Sequence, residues 1–162
     1  MNVGVRLASV RDRDEVLKIV ERIEVAAQLV LAPRSSGWQY VEIGLRNCRH
    51  RLYVAEGQKT DAILGGGRLE PGGFSYFVHP EWWRQGLGLQ IARQLLTICC
   101  HRLPGETIRL AIRRGNLSSI KIAEALGFRF SGSDALMPHA LVFDLEHFDL
   151  GPHPGGDCIE RH

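Results

Sequence analysis

Gly86-Leu87-Gly88, preceded by Arg84 and opening a long apolar-periodic run, is the segment of this chain best suited to hold an anion. Glycine lets a backbone come close to a ligand, and the first N–H groups of a helix point outward, unpaired, at its positive end. Each such helix-end interaction contributes about 0.3–1 kcal/mol when exposed and up to ~2 when partly buried. Several amides converging on a diphosphate, helped by Arg84, could therefore anchor a cofactor. The spacing also allows the plainer reading of a tight turn. A dinucleotide fingerprint is excluded because Ile91 stands where it needs a third glycine, and a P-loop because no lysine–hydroxyl pair follows. His79, just upstream, has an intrinsic pKa suited to accepting a proton, although a histidine at a strand end equally serves structure.

The elements that must position these groups run from Phe74 to Cys99. Phe74-Ser75-Tyr76-Phe77-Val78 has the aromatic and β-branched content of a strand. His79-Pro80-Glu81 stops it, since proline has no amide for the ladder. In the helix that follows, Leu87, Ile91, Ala92, Leu95, Leu96, Ile98 and Cys99 make an apolar face. Gln90, Arg93, Gln94, Thr97 and His101 fall on the opposite, solvent-facing side.

The rest of the chain reads in order around that unit. Val3, Val5 and Leu7 alternate as a first strand. Ser9 to Asp12 fits a capping box before a helix burying Val16, Ile19, Val20, Ile23 and Ala27. Pro33 to Gly37 interrupts, and a second helix is expected over Trp38 to Asn47, with Trp38 and Tyr40 read as core anchors. Arg51 to Glu56 and Ala62 to Glu70 are strands, the latter with Gly65-Gly66-Gly67 marking a bulge or close backbone approach. Four strands thus form an antiparallel meander. Ile108, Leu110 and Ile112 form a strand expected parallel to and beside Phe74–Val78. Asn116 caps a helix that Gly127 ends, and Phe128 to Ser131 with Leu141 to Leu145 make a final pair.

With 162 residues, 44% hydrophobic and 23% charged, one domain over 1–150 is expected, with 151–162 a frayed Pro/Gly/His-rich tail. A net charge of +2 is too mild to imply a nucleic-acid partner. No apolar run reaches membrane-span length, no signal-peptide pattern opens the sequence, and Cys48, Cys99, Cys100 and Cys158 lack metal-site spacing. A cytoplasmic protein with reduced thiols and no metal is expected.

Gly86-x-Gly88 resembles the acyl-CoA motif Q/R-x-x-G-x-G/A of the GNAT N-acetyltransferase superfamily, with Trp83 where that motif carries Gln or Arg. Tryptophan here, after Tyr76 to Glu81, is similar to the ribosomal-protein N-acetyltransferase branch. Asn116-x-x-Ser119 followed by Leu126-Gly127-Phe128 resembles a second signature of the family. The resemblance spans Val5 to about Phe143. It implies an α/β (α+β) fold, with a mixed, mostly antiparallel sheet of six to seven strands, about four helices and a splayed strand pair. It implies acetyl-CoA as co-substrate, its pantetheine pairing with backbone near Phe77 and Val78 and its diphosphate on Gln85 to Leu89. Asn116 would contact the pantetheine or the amine.

The implied reaction is direct acetyl transfer to a primary amine, on a small molecule or a protein N-terminus, in a ternary complex. Many members use a tyrosine acid seven residues after the asparagine; here that residue is Ala123, and Ser119 is the substitute the resemblance offers. Members with a glutamate base carry it near Gly72 and Gly73. Glu70 is the nearest carboxylate, alternatively a solvated turn residue. These gaps motivate a competing reading, a non-catalytic acyl-CoA-binding module. The final strand could pair with a second copy as a homodimer.

Overall fold

A computed structural model describes residues 1–31 and 35–146. The sheet has seven strands: β1 (Val3–Leu7), β2 (Leu52–Gly57), β3 (Ile63–Glu70), β4 (Gly73–Val78), β5 (Ile108–Arg113), β6 (Arg129–Asp134) and β7 (Met137–Leu145). Their order is β1-β2-β3-β4-β5-β7-β6, antiparallel throughout except for β4 beside β5. Among the described residues, five α-helices accompany it: α1 (Arg13–Val20), α2 (Ile23–Ala26), α3 (Gly37–Arg46), α4 (Leu87–Arg102) and α5 (Leu117–Ala125). The expected meander, parallel neighbour and closing hairpin are all present.

Side-chain alternation divides the interior into two cores. Leu52, Val54 and Phe77 pack on one face with Val16, Val20 and Tyr40. Tyr53, Ala55 and Phe74 pack on the other with Leu87, Ile91 and Leu95 of α4. Gly65, Gly66 and Gly67 allow this tight stack, because a Cβ on any of them would come within 2.5 Å of a neighbouring strand's carbonyl oxygen. The bulge lies opposite, between Ala55 and Glu56 of β2.

Three expectations are corrected. The first helix ends at Val20, and Arg22, in extended conformation, restarts the chain as α2. That break turns Ile23 outward to 84% exposure and puts Val25 and Leu29 in the core. Tyr40 is buried as expected, but Trp38, in the first turn of α3, is 54% exposed. Gln90 and Gln94 do not simply face solvent. Val3 N–H donates to Gln90 Oε1 (3.3 Å) and Val5 N–H to Gln94 Oε1 (2.9 Å), while Gln94 Nε2 donates to Val3 O (2.9 Å). These amides fasten α4 along the outer edge of β1. Of the cysteines, Cys48, Cys99 and Cys100 are free thiols; Cys158 and the expected tail lie outside the described residues, as does part of the Pro33–Gly37 break. No helix among the described residues is long and apolar enough to cross a membrane.

Candidate active site

β4 and β5 touch at one point and then diverge. Gly73 is paired with Arg109, and Arg109 N–H donates to Gly72 O at 2.8 Å. A Cβ on Gly73 would lie 1.9 Å from Arg109 O, so only glycine permits this pivot. Beyond it the strands open into a cleft of about 520 Å³, bounded by both strands, the N-terminal turns of α4 and α5, and the segment from Val25 to Val30. Arg113 ties that segment down by donating to Leu29 O at 2.8 Å.

Strand parity fixes which amides face the cleft. His79 N–H donates to Leu64 O of β3, whereas Gly72 O points to β5. Backbone groups alternate sides along a strand, so those of Tyr76 and Val78 turn to the opening and those of Ser75 and Phe77 to β3. Phe77 lines the cleft with its backbone turned to β3, so the strand backbone groups facing the opening are those of Tyr76 and Val78, not those of Phe77. Val78 O accepts a hydrogen bond from Trp83 Nε1 at 2.8 Å, which folds the turn back over the strand end.

That turn leads into α4 through two left-handed residues, Arg84 (φ 63°) and Gly86 (φ 75°), the latter at the N-cap. Gly86 has no side chain to cap the helix, so its first amides are left for a ligand. Arg84, Gly86, Leu87, Gly88 and Leu89 line the cleft; Gln85 is not among its lining residues. Arg84 is the only charged residue among the described lining residues, which include no carboxylate, lysine or imidazole.

Ser119 and Asn116 also line it, at the start of α5. Asn116 Oδ1 caps the helix, accepting from Ser119 N–H at 3.2 Å. Ser119 Oγ accepts from the Tyr76 hydroxyl at 3.0 Å. Burial is the main cause that pushes the Tyr76 phenol up to about 12, with the Ser119 bond opposing it. In the sequence Tyr76 reads as one more strand aromatic; no local signal marks its contact with Ser119, 43 residues away. Glu70 and His79 lie outside the cleft. Glu70 accepts from Arg68 at 2.8 Å and from Ser75 Oγ at 3.5 Å. His79 Nδ1 accepts from Glu81 N–H at 3.2 Å, capping a short 3-10 turn. Ser75, itself in the cleft wall, also bonds the buried Tyr40 hydroxyl at 2.8 Å.

Comparison with known proteins places this divergent parallel pair and glycine-entered helix in an acetyltransferase family. A family model described as an acetyltransferase (GNAT) domain matches residues 3–129, and the chain belongs to that family. An acetyltransferase from Agrobacterium tumefaciens superposes with a TM-score of 0.73 at 16% identity, covering 90% of this chain and 91% of its own. A protein described as a putative ribosomal-protein-serine acetyltransferase from Vibrio cholerae gives 0.69 at 16%, covering 91% and 95%. The aminoglycoside acetyltransferase AAC(6')-Ib in complex with coenzyme A gives 0.70 at 16%, covering 88% and 93%. At these identities the likeness is one of fold. A comparison with curated proteins finds no match.

Proposed function

We propose that this protein transfers an acetyl group from acetyl-CoA to an α-amino group, by direct attack while both substrates are bound. The observation that carries the reading is the single pivot at Gly73, which leaves the amides of Tyr76 and Val78 facing an open cleft beside the uncapped start of α4. The donor set fits the co-substrate. Helix-end amides and Arg84 match a diphosphate, strand amides match an amide-bearing arm, and a strand N–H also suits the oxyanion that forms at the thioester carbon. In the reaction the nitrogen lone pair forms the C–N bond, the C–S bond breaks with its electron pair on sulfur, and one proton leaves nitrogen for solvent.

The acceptor class is read from the lack of a carboxylate or imidazole in the described wall. Unperturbed pKa values are near 8 for an α-amine and 10.4 for a lysine-type amine. At about pH 7.5 these leave roughly a quarter and ~0.1% in the neutral, attacking form, a difference of about 200-fold. With no carboxylate or imidazole among the described lining residues to remove the proton, an α-amine is the better nucleophile here. A polycation also has no acid in the described wall to pair with. Release of CoA should be measured with acetyl-CoA and three acceptor sets: peptides with free N-termini, the same peptides N-blocked but carrying lysine, and an aminoglycoside. Preference for free N-termini by about 30-fold or more in kcat/KM is expected. Faster turnover of the lysine peptides or the aminoglycoside would refute the acceptor assignment. A described wall without carboxylate or imidazole, together with Ala123, also suits a second reading, an acyl-CoA-binding module without turnover, which acetyl-CoA binding without CoA release from any set would support.

A further inference from the structure

Tyr76 and Ser119 meet in the cleft from elements far apart in sequence, β4 and the first turn of α5. A phenol has one proton, and Tyr76 gives it to Ser119 Oγ at 3.0 Å. That bond occupies an acceptor position on the serine oxygen and leaves the serine hydrogen to point elsewhere. The backbone N–H of Ser119 is already committed to Asn116 Oδ1. Its hydroxyl hydrogen is thus the one donor of this residue still to be placed, and Ser119 lines the cleft. Ala123 lies one turn further along the same helix face, is fully buried and offers no hydroxyl.

We infer that Tyr76 is a positioning residue that aims the Ser119 hydroxyl at the departing sulfur, an inference that rests on the acyl-transfer reading above. A thiol, with a pKa near 8.5, is a far stronger acid than an alkyl alcohol, so Ser119 keeps its proton and serves as a hydrogen-bond donor. The C–S electron pair moves to sulfur, the thiolate is held by that donor, and it leaves as such or takes a proton from water. The phenol, buried and bonded to Ser119, stays protonated through the neutral range and so remains a donor.

The test compares Tyr76→Phe, Ser119→Ala and the double variant, each checked by thermal melting. Tyr76→Phe should lower kcat about 5- to 20-fold with KM for acetyl-CoA within twofold, since one misaimed donor costs less than the ~100-fold or more of a lost one. The double variant should match Ser119→Ala. Losses that multiply, an effect confined to KM, or an unchanged kcat would each overturn the inference. A fluorinated tyrosine at position 76 keeps the packing and lowers the phenol pKa. It should add a fall in kcat at high pH that is absent when Ser119 is alanine; no added fall overturns the inference even if Tyr76→Phe fails to fold. Absence of turnover in the unmodified protein would remove the acyl-transfer reading and this inference with it, whereas an active protein indifferent to Tyr76 removes the inference alone.

Discussion

Gly88→Leu should leave the protein folded and cost it a few hundred-fold in acetyl-CoA affinity. Gly88 sits in the first turn of α4 with ordinary helical backbone, so a side chain meets no conformational strain there. A Cβ alone would lie 3.0 Å from Ile122 Cδ1, 3.7 Å from Val78 Cγ2 and 3.9 Å from Tyr76 Cε2. A methyl needs only a small movement of the Ile122 tip, and Gly88→Ala should weaken binding about threefold. The further carbons of leucine must pass among three side chains that all line the cleft. If they push the ligand off two helix-end amides, at about 1.5–2 kcal/mol each (the lower part of the range for a hydrogen bond to a charged group), roughly 3–4 kcal/mol is lost. That converts to about 100- to 1000-fold in Kd. The fold should hold, because leucine's better helix propensity, up to ~0.8 kcal/mol, offsets part of an overpacking cost of about 1–3 kcal/mol. Titration calorimetry with acetyl-CoA, alongside thermal melting, reads both quantities. A Gly88→Leu protein that melts normally and binds within threefold of the parent would refute the placement of the diphosphate on this turn.

Gly73→Ala should lower the melting temperature by about 10 °C, on about 4 kcal/mol for a backbone clash that no side-chain movement relieves. Gly72→Ala, with φ at 77° but open space around it, should cost only about 1–2 kcal/mol; similar melting temperatures for the two would refute the pivot. Hydrogen bonds from Arg6, at 2.9 Å to each oxygen, hold the Asp12 carboxyl at about 2, below its usual value of 3.8. A lowered folded-state pKa gives stability that is present above the unfolded value and lost as pH falls through the folded one. Asp12→Asn should therefore melt several degrees below the parent at pH 7, with the gap closing between about pH 4 and pH 2; a gap that persists at pH 2 would contradict the assignment.

The strand order and the glycine turn that opens α4 were legible because short-range rules govern them. Proline ends β4, Gly86 opens α4, Asn116 caps α5, and period-2 or period-3.6 patterns assign faces. What escaped depends on long-range placement. Ile23 continues an apolar period, but the extended Arg22 breaks the helix and turns it out. Gln90 and Gln94 look like solvent-side polar residues until β1 is laid beside them. Tyr76 is indistinguishable from any strand aromatic until the splay brings α5 over it. Glu70 stands near the expected carboxylate position in the sequence, yet pairing with Arg68 engages it outside the cleft.

The glutamine clamp on β1 has a consequence for assembly. A primary amide presents one carbonyl and one amino group, much as a peptide unit does, so Gln90 and Gln94 stand in for the strand that would otherwise dock there. Among the described strands, the border left for lengthening the sheet is the opposite one, β6. Copies that joined through that border would use it up on both sides and stop at a pair, so this fold carries its own block against growing into a fibre.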